Sequence, residues 1–210
     1  MIVIEMERFK AFLSNKYQNL KDINISFKKC SKYNNDNYLV DCEMKTISFD
    51  KLTEWYFKHQ RIPKSADAMS FSNDNSICFI EFKSGDQTRP ERKLQKLISG
   101  VAGKINDSDS TISSMYAEAF NNSEDRLNQK FYLVVDSKAM GINKFTYTLS
   151  KLSMKNNSSL KENEKIMYEK VMGNLKEETD FPDHFSKIDV WDSQLFEKYL
   201  ELEGITDFVI

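Results

Sequence analysis

Two short motifs in the middle of the chain carry residue types that could perform chemistry together. Asp67 is followed fourteen residues later by Glu81-Phe82-Lys83. Alternation along a strand places Glu81 and Lys83 on one face, and a hairpin can bring Asp67 alongside them. Two carboxylates on adjacent strands can bridge a hard divalent cation, and oxygen ligands suit magnesium. A neighbouring lysine can orient or activate water and offset phosphate charge. These parts are sufficient for metal-assisted phosphodiester hydrolysis.

The two motifs are expected on the strands of a hairpin, at 67–71 and 76–83. Four consecutive turn-forming residues between them predict a short connection. Both faces of the second strand are apolar up to Glu81, which predicts a central position in a sheet. The charges of Glu81 and Lys83, at the end of this strand, are expected to lie where the edge of the sheet opens into a cleft.

The other segments predict helices and strands that interleave around this hairpin. Helices are expected at 1–20, 50–59, from about Pro90 onward, 110–120, 160–175 and 193–202, and strands at 23–27, 38–44, 131–135, 144–149 and 187–190. Asp50 and Ser193 are expected to cap their helices, and Trp55 and Trp191 to lie in the core. We therefore expect an α/β (mixed α+β) fold, with a central mixed sheet flanked by helices, in a single domain over 1–210.

Composition excludes several classes of protein. Of the 210 residues, 40% are apolar and 12% aromatic, which excludes a disordered chain, a collagen-like repeat and a coiled coil. Apolar runs are far shorter than the roughly 18 residues needed to span a bilayer. Neither a secretory segment nor a membrane partner is expected, and reduced cysteines agree with a cytoplasmic protein. The three cysteines form no CxxC pair and the two histidines lie far apart, which argues against a zinc site.

Charge is distributed unevenly along the chain. The net charge of −2 predicts no bulk attraction to nucleic acid. However, residues 58–104 contain nine Lys and Arg against five Asp and Glu, whereas residues 176–210 contain three against ten. The first segment could face phosphates, and the acidic tail could not.

The two motifs resemble the active-site signature of the PD-(D/E)XK nuclease superfamily. The resemblance rests on Pro63-Lys-Ser-Ala-Asp67 and Ile80-Glu-Phe-Lys83, and it covers roughly residues 38–136. The order of hairpin, helix and buried strand is similar too. One departure is that the proline stands four positions before the aspartate instead of directly before it.

This resemblance implies a restriction-endonuclease-like core and a role for each motif residue. Asp67 and Glu81 would be the ligands of Mg²⁺, for which Mn²⁺ could substitute. Lys83 would position the nucleophilic water. Regions before residue 38 and after residue 136 would be a helical and strand segment and a helical extension.

Further site residues are suggested on weaker grounds. Gln95 lies on the helix after the second motif, where nucleases of this type often carry a polar residue. An upstream carboxylate often completes such sites, and Glu54 is slightly preferred over Glu43 because a helix just before the hairpin could carry it. Basic residues at the start of the later helix could contact the phosphate backbone, namely Arg89, Arg92, Lys93 and Lys96.

Three hypotheses about function follow from these patterns. The first is a magnesium-dependent nuclease, with DNA favoured over RNA, in bacterial or phage defence, acting alone, as a homodimer or with a partner subunit. The second is a nucleic-acid-binding or regulatory protein that keeps the fold without cleaving, against which the complete set of Asp67, Glu81 and Lys83 argues. The third is an immunity or inhibitor protein whose acidic tail mimics nucleic acid.

Overall fold

Eight strands and five helices account for most of the described chain. The computed structural model describes residues 2–20, 22–34, 37–58, 60–85, 91–121, 127–136 and 185–208. A single 3₁₀ turn, Ser193–Leu195, precedes the last helix. The elements in chain order are α1 (Ile2–Tyr17), β1 (Asn24–Ser26), α2 (Phe27–Cys30), β2 (Lys32–Asn34), β3 (Asn37–Tyr38), β4 (Lys45–Ser48), α3 (Phe49–Tyr56), β5 (Ala68–Phe71), β6 (Ile77–Lys83), α4 (Glu91–Phe120), β7 (Gln129–Val135), β8 (Phe185–Asp192) and α5 (Phe196–Leu202).

Six of the strands form one mixed sheet in the order β1-β4-β5-β6-β7-β8. The pairs from β1 to β6 are antiparallel, and β6, β7 and β8 are parallel to one another. Strands β2 and β3 form a separate two-stranded ribbon. The expected mixed α+β fold with a central mixed sheet is therefore confirmed. Among the residues described, no helix combines the length and the apolar character that crossing a membrane requires.

The two faces of the sheet pack against different helices. Ile77 and Phe79 of β6 belong to one core, which includes buried side chains of α1, α3 and α4. Cys78 and Ile80 belong to a second core, which includes side chains of α2 and α5. Because side chains alternate along a strand, Glu81 lies on the same face of β6 as Phe79. The end of β6 thus presents its charges on the side of the sheet that α4 covers.

The predicted hairpin and the central position of its second strand are both confirmed. Ala68 pairs with Ile80 and Phe71 with Ile77, and β7 pairs with the other edge of β6. Asn75 in the turn has a φ of 59°. Asparagine tolerates this left-handed conformation better than most residues do, so the turn can stay tight.

The strand predicted at 38–44 is wrong, because the ladder begins only at Lys45. Val40 and Cys42 are buried in the second core, which explains the alternation. Their backbone, however, bonds to α2 and its C-terminal cap instead of to a strand. Cys42 O accepts from Lys28 N at 2.8 Å, and Val40 N donates to Ser31 Oγ at 3.2 Å. The side chains alternate in burial as those of a strand do, but the backbone does not pair with a sheet. The alternation alone therefore led to a wrong strand prediction.

Helix α3 is confirmed, but one of its predicted core residues is exposed. Phe49, Leu52 and Thr53 are buried, whereas Trp55 is 48% exposed. Positions 49, 52 and 53 follow helical spacing, and position 55 falls off that face. Trp191, on β8, is fully buried as expected.

The two helices predicted on either side of residue 105 are one continuous helix, α4. Its apolar stripe continues without a break, through Val101, Ile105 and Ile112, so the glycines near its middle do not end it. The helix predicted at 193–202 is a 3₁₀ turn followed by α5, which begins only at Phe196. Ser193 is not the cap, since the Asp192 side chain caps the 3₁₀ turn by accepting from Gln194 N at 2.9 Å. The segments predicted at 144–149 and 160–175 lie outside the described residues.

Candidate active site

The structure brings Asp67 and Glu81 together at one end of the hairpin. Asp67 directly precedes β5, and because Ala68 pairs with Ile80, it lies opposite Glu81. Asp67 Oδ2 accepts a hydrogen bond from the backbone N–H of Phe82 at 2.7 Å. The Glu81 side chain is fully buried, and that of Asp67 is 19% exposed. The two predicted carboxylates therefore share one face of the sheet, next to α4.

A lysine that was not predicted, Lys104 of α4, bridges the two carboxylates. Its Nζ lies 3.1 Å from Asp67 Oδ1 and 2.7 Å from Glu81 Oε2. Lys83 is on the other side, with its Nζ 2.5 Å from Glu81 Oε1. Each oxygen of the buried glutamate thus faces an ammonium group. We refer to Asp67, Glu81, Lys83 and Lys104 as the site cluster.

The site cluster brings two carboxylates and two ammonium groups into close contact. Burial raises the pKa of Glu81 to about 7, and the negative charge of Asp67 acts in the same direction. Burial alone would lower the pKa of Lys104, but Glu81 and Asp67 outweigh it and raise that pKa. Like charges in a dry site resist ionisation unless cations compensate them. Lys83 and Lys104 therefore supply the positive charge that compensates the two carboxylates.

A third carboxylate, Asp50, lies next to the site cluster on the first turn of α3. It is not the expected N-cap, since Ser48 occupies that position. Instead, Asp50 Oδ1 accepts from Ser65 Oγ at 2.5 Å. Burial raises the pKa of Asp50, and the charge of Asp67 contributes to the increase. The backbone N–H of Phe49 donates to Asp67 O at 3.2 Å, which fixes the start of α3 against the site.

The two upstream carboxylates suggested by sequence do not reach the site cluster. Glu54 lies one helical turn beyond Asp50, where it is half exposed and pairs with Lys51 at 2.9 Å. Glu43 is exposed and pairs with Lys28 at 3.4 Å. Asp50 is therefore the upstream carboxylate nearest to the site. The predicted residue, Glu54, lies on the same helix as Asp50 but one turn further from the site cluster.

Two hydrogen bonds hold α4 against the segment that leads into Asp67. Lys64 N donates to Asp107 Oδ2 at 2.9 Å, and Ala66 N donates to Ser108 Oγ at 3.1 Å. Asp107 and Ser108 follow Lys104 by about one turn on the same helix. These two contacts therefore fix the position of α4 along its axis, and with it the position of Lys104 relative to Asp67.

Ser108→Ala is expected to reduce the free energy of unfolding by about 1–3 kcal/mol, because it leaves the buried Ala66 N–H without an acceptor. Urea denaturation measures the change. Ser114→Ala on the same helix is the matched control, since its exposed hydroxyl bonds only to the carbonyl of Ser110 and its loss should change stability by less than about 0.5 kcal/mol. Equal stability of the two variants would contradict the anchoring role of Ser108.

The polar residue predicted on α4 lies on the wrong side of the helix for contact with the site. Gln95 precedes Lys104 by nine residues, about two and a half turns, which places it on the opposite face. Its side chain is exposed. Lys104 itself had a usable signal in the sequence. Its neighbours three and seven positions before it and four positions after it are Val101, Leu97 and Ser108, and all three are buried. A lysine on a buried face needs an anionic partner.

Two of the four candidate phosphate-binding residues have side chains that the structure describes. Lys93 and Lys96 are exposed, and Lys93 lies about three turns from Lys104 on the same side of the helix. Arg92 is in the first turn of α4, and Arg89 lies outside the described residues. A Cβ built at Gly100 would meet no atom within 4 Å, so the helix surface is open at that position.

The donor set of the site cluster fits magnesium. Among the described residues, no group of three or more His, Cys, Asp and Glu side chains is placed to hold a metal ion. Magnesium, however, keeps several waters and is commonly held by one or two carboxylates together with substrate phosphates. Asp67 and Glu81 provide such a pair. Glu81 Oε1 is buried and, despite its contact with Lys83, makes no hydrogen bond of regular geometry within the described chain.

Acidic residues of the C-terminal region are used inside the protein. Glu203 Oε2 accepts from Tyr132 OH at 2.7 Å, and the Glu203 carboxylate also pairs with Lys130 and Lys187. Asp192 caps the turn before α5. At these positions the acidic side chains have structural partners and are not displayed as a charged surface.

Comparisons with known proteins complete the description of the site. Protein-family models, curated proteins and solved structures gave no match to this chain.

Proposed function

We propose that the protein is a metal-dependent nuclease that hydrolyses phosphodiester bonds, with DNA favoured over RNA. The observation that supports this most directly is the shared cation: one ammonium, that of Lys104, lies within 3.1 Å of oxygens from both Asp67 and Glu81. Two carboxylates that share one ammonium between adjacent strands could share a divalent ion in the same way, since magnesium is commonly held by one or two carboxylates together with waters and substrate phosphates. Lys83 lies beside them, as metal-assisted hydrolysis needs.

In this proposal each residue of the site cluster has a distinct part. Asp67 and Glu81 would hold the ion, which when bound supplies Lewis-acid stabilisation of the charge that develops on the phosphoryl group. Lys83 orients the attacking water and stabilises negative charge near it. Lys104 keeps the carboxylates close together and adds a positive charge next to the phosphate. Asp50, whose Oδ1 accepts from Ser65 Oγ, adds a third negative charge near Asp67.

The fold supports the same proposal. We propose that β4 to β7 with α3 and α4 correspond to a restriction-endonuclease-like core, in which a hairpin and the following helix build the site. The nucleic acid would approach along the surface of α4 before Lys104, where Lys93 and Lys96 are exposed. Cations along such a path neutralise phosphates and give affinity without sequence readout.

The two non-catalytic hypotheses have less support from the described residues. An inhibitor that mimics nucleic acid needs an exposed acidic surface. Of the six described acidic residues after Lys176, half are buried or internally paired (Asp189, Asp192 and Glu203) and half are exposed (Glu197, Glu201 and Asp207). A degenerate copy of a nuclease would usually lose one of Asp67, Glu81 and Lys83, and all three are present.

Cleavage of DNA by the purified protein is expected in the presence of Mg²⁺ or Mn²⁺ and not in the presence of a chelator. Plasmid, linear duplex and single-stranded DNA should be incubated in parallel, because the products distinguish internal from terminal cleavage. Restoration of cleavage by adding Mg²⁺ after chelation shows that the metal is required. Cleavage that continues at full rate in excess chelator would contradict the proposed mechanism.

A further inference from the structure

A second site lies at the other end of α3, away from the site cluster. It is a cavity of about 710 Å³ between the C-terminal ends of α1 and α3 and the second half of α4. Aromatic side chains and lysines line it together, including Trp55, Tyr56, Lys16 and Lys58. None of these residues takes part in the chemistry proposed above.

The ring of Trp55 is the main exposed aromatic surface in this cavity. A single exposed aromatic residue needs no explanation, since folded proteins expose much apolar surface. Trp55, however, is accompanied by a cation: Lys58 Nζ lies 6.0 Å from the centre of its ring. Lys58 forms no ion pair with another described residue, so its charge remains free for a ligand. An aromatic plane beside an uncompensated cation matches a nucleobase and its phosphate.

The interior of the cavity has a polar group without a partner. Tyr17 is 5% exposed, and its hydroxyl makes no hydrogen bond to any described residue. Nearby, Lys16 lies 5.3 Å from the Tyr56 ring and pairs with Glu118 of α4. A buried hydroxyl without a partner costs stability unless a ligand or water satisfies it. The cavity therefore offers stacking, positive charge and hydrogen bonding in one place.

The cavity and the site cluster are connected by two helices. Asp50 lies in the first turn of α3 and Trp55 in its last turn. On α4, Glu118 follows Lys104 by fourteen residues, which is about four turns and a rise of about 21 Å on the same side of the helix. The rise along α3 from Asp50 to Trp55 is shorter, about 7.5 Å. At an axial rise of about 3.4 Å per nucleotide in a stacked strand, these two distances correspond to roughly two and six nucleotides. One short strand can therefore reach both sites.

We propose that this cavity binds an unpaired nucleobase, so that the nuclease acts on single-stranded nucleic acid or on single-stranded ends. The inference rests on the proposed function, because it defines the substrate of that same active site. A base inside a duplex is already stacked on its neighbours and cannot stack on Trp55 without leaving the helix. Lys58 would contact the adjoining phosphate, and the cavity would select strands with unpaired bases.

Binding of short oligonucleotides without metal tests the proposal independently of cleavage. The probes are oligothymidylate with deoxyribose, the same oligomer with ribose, and a duplex of equal length. Trp55 is half exposed and Trp191 is fully buried, so stacking should quench only the Trp55 part of the fluorescence. Trp55→Phe should bind with nearly wild-type affinity and show no quenching. Trp55→Ala should weaken single-strand binding by about tenfold or more, and duplex binding by much less.

The matched control is Tyr33→Ala, which removes a ring of similar exposure on β2, at 51%. Unchanged single-strand affinity in Trp55→Ala, or equal losses in Trp55→Ala and Tyr33→Ala, would overturn the proposal while leaving the nuclease function intact. Conversely, weakened binding in Trp55→Ala together with full cleavage by Glu81→Gln would preserve the cavity and overturn the nuclease site. The ribose and deoxyribose arms show which of the two strands it binds more tightly.

Discussion

Glu81→Gln is expected to lower the rate of DNA cleavage by at least about a hundredfold while the protein remains folded. The amide keeps the shape of the side chain but removes one of two charges that would hold the metal. Because burial and Asp67 already raise the pKa of Glu81 to about 7, a neutral side chain is tolerated at this position. We therefore expect the protein to remain folded, with a smaller loss in the free energy of unfolding than Lys104→Met causes, because Lys104 keeps Asp67 as a partner. Cleavage and urea denaturation are measured on the same preparation.

Lys83→Met should give a similar loss of cleavage for a different reason. It keeps the aliphatic stem and removes the ammonium that lies 2.5 Å from Glu81. Metal binding should persist in Lys83→Met and weaken in Glu81→Gln, whereas DNA binding should be unchanged or tighter in Glu81→Gln. The control for the carboxylate is Glu54→Gln, since Glu54 is exposed and pairs only with Lys51 in the described chain. Wild-type cleavage by Glu81→Gln would place the activity at another site.

Lys104→Met is expected to reduce the free energy of unfolding by about 3 kcal/mol, the largest stability effect that we expect from a single substitution here. The reason is that two carboxylates, one of them fully buried, would lose the cation between them. For a chain of this size the midpoint of thermal unfolding should fall by about 6–12 °C. Lys96→Met, an exposed lysine on the same helix, is the control and should change stability little.

A second substitution and a change of pH separate this mechanism from simple loss of packing. The double variant with Glu81→Gln should recover most of the stability, because the unpaired buried charge is then gone. As the pH falls below about 7, the penalty of Lys104→Met should shrink. Glu81 has a folded-state pKa of about 7, above its unfolded value, so it is protonated there in the folded protein and needs no cation. A penalty that is the same at acid and alkaline pH would show that Lys104 acts through packing.

The sequence was sufficient to predict the hairpin and the pair of carboxylates, because both depend on local rules. Alternation along β6 fixes which residues share a face, and a short turn fixes which residues are opposite each other. Asp67 and Glu81 therefore meet as predicted. The same rules failed at 38–44, where the side chains alternate in burial but α2 supplies the backbone partners.

The partners on α4 could not be placed in the same way. Which turn of a helix lies over a strand end depends on packing between elements, and here on the contacts of Ser108 and Asp107. Gln95 is the polar residue that the resemblance suggests on the helix after the second motif, yet α4 meets the site about two and a half turns later, at Lys104. The burial of the neighbours of Lys104 was the only local sign. Trp55 shows a related error, since an apolar residue was assigned to the core although its helical phase differs from that of Phe49 and Leu52.

If Asp67 and Glu81 hold a metal ion as proposed, the position of Lys104 makes the folding of the protein independent of that ion. In many small metal sites the ligands repel one another until the ion binds, so that chelation unfolds the protein. Here the chain carries its own cation between Asp67 and Glu81, and their repulsion is compensated when the polypeptide folds. Synthesis and maturation would then be independent of the ionic content of the cell. A divalent ion would have to compete with the Lys104 ammonium for the oxygens of Asp67 and Glu81. The ion concentration needed for activity would then depend on Lys104 of α4 as well as on the two carboxylates.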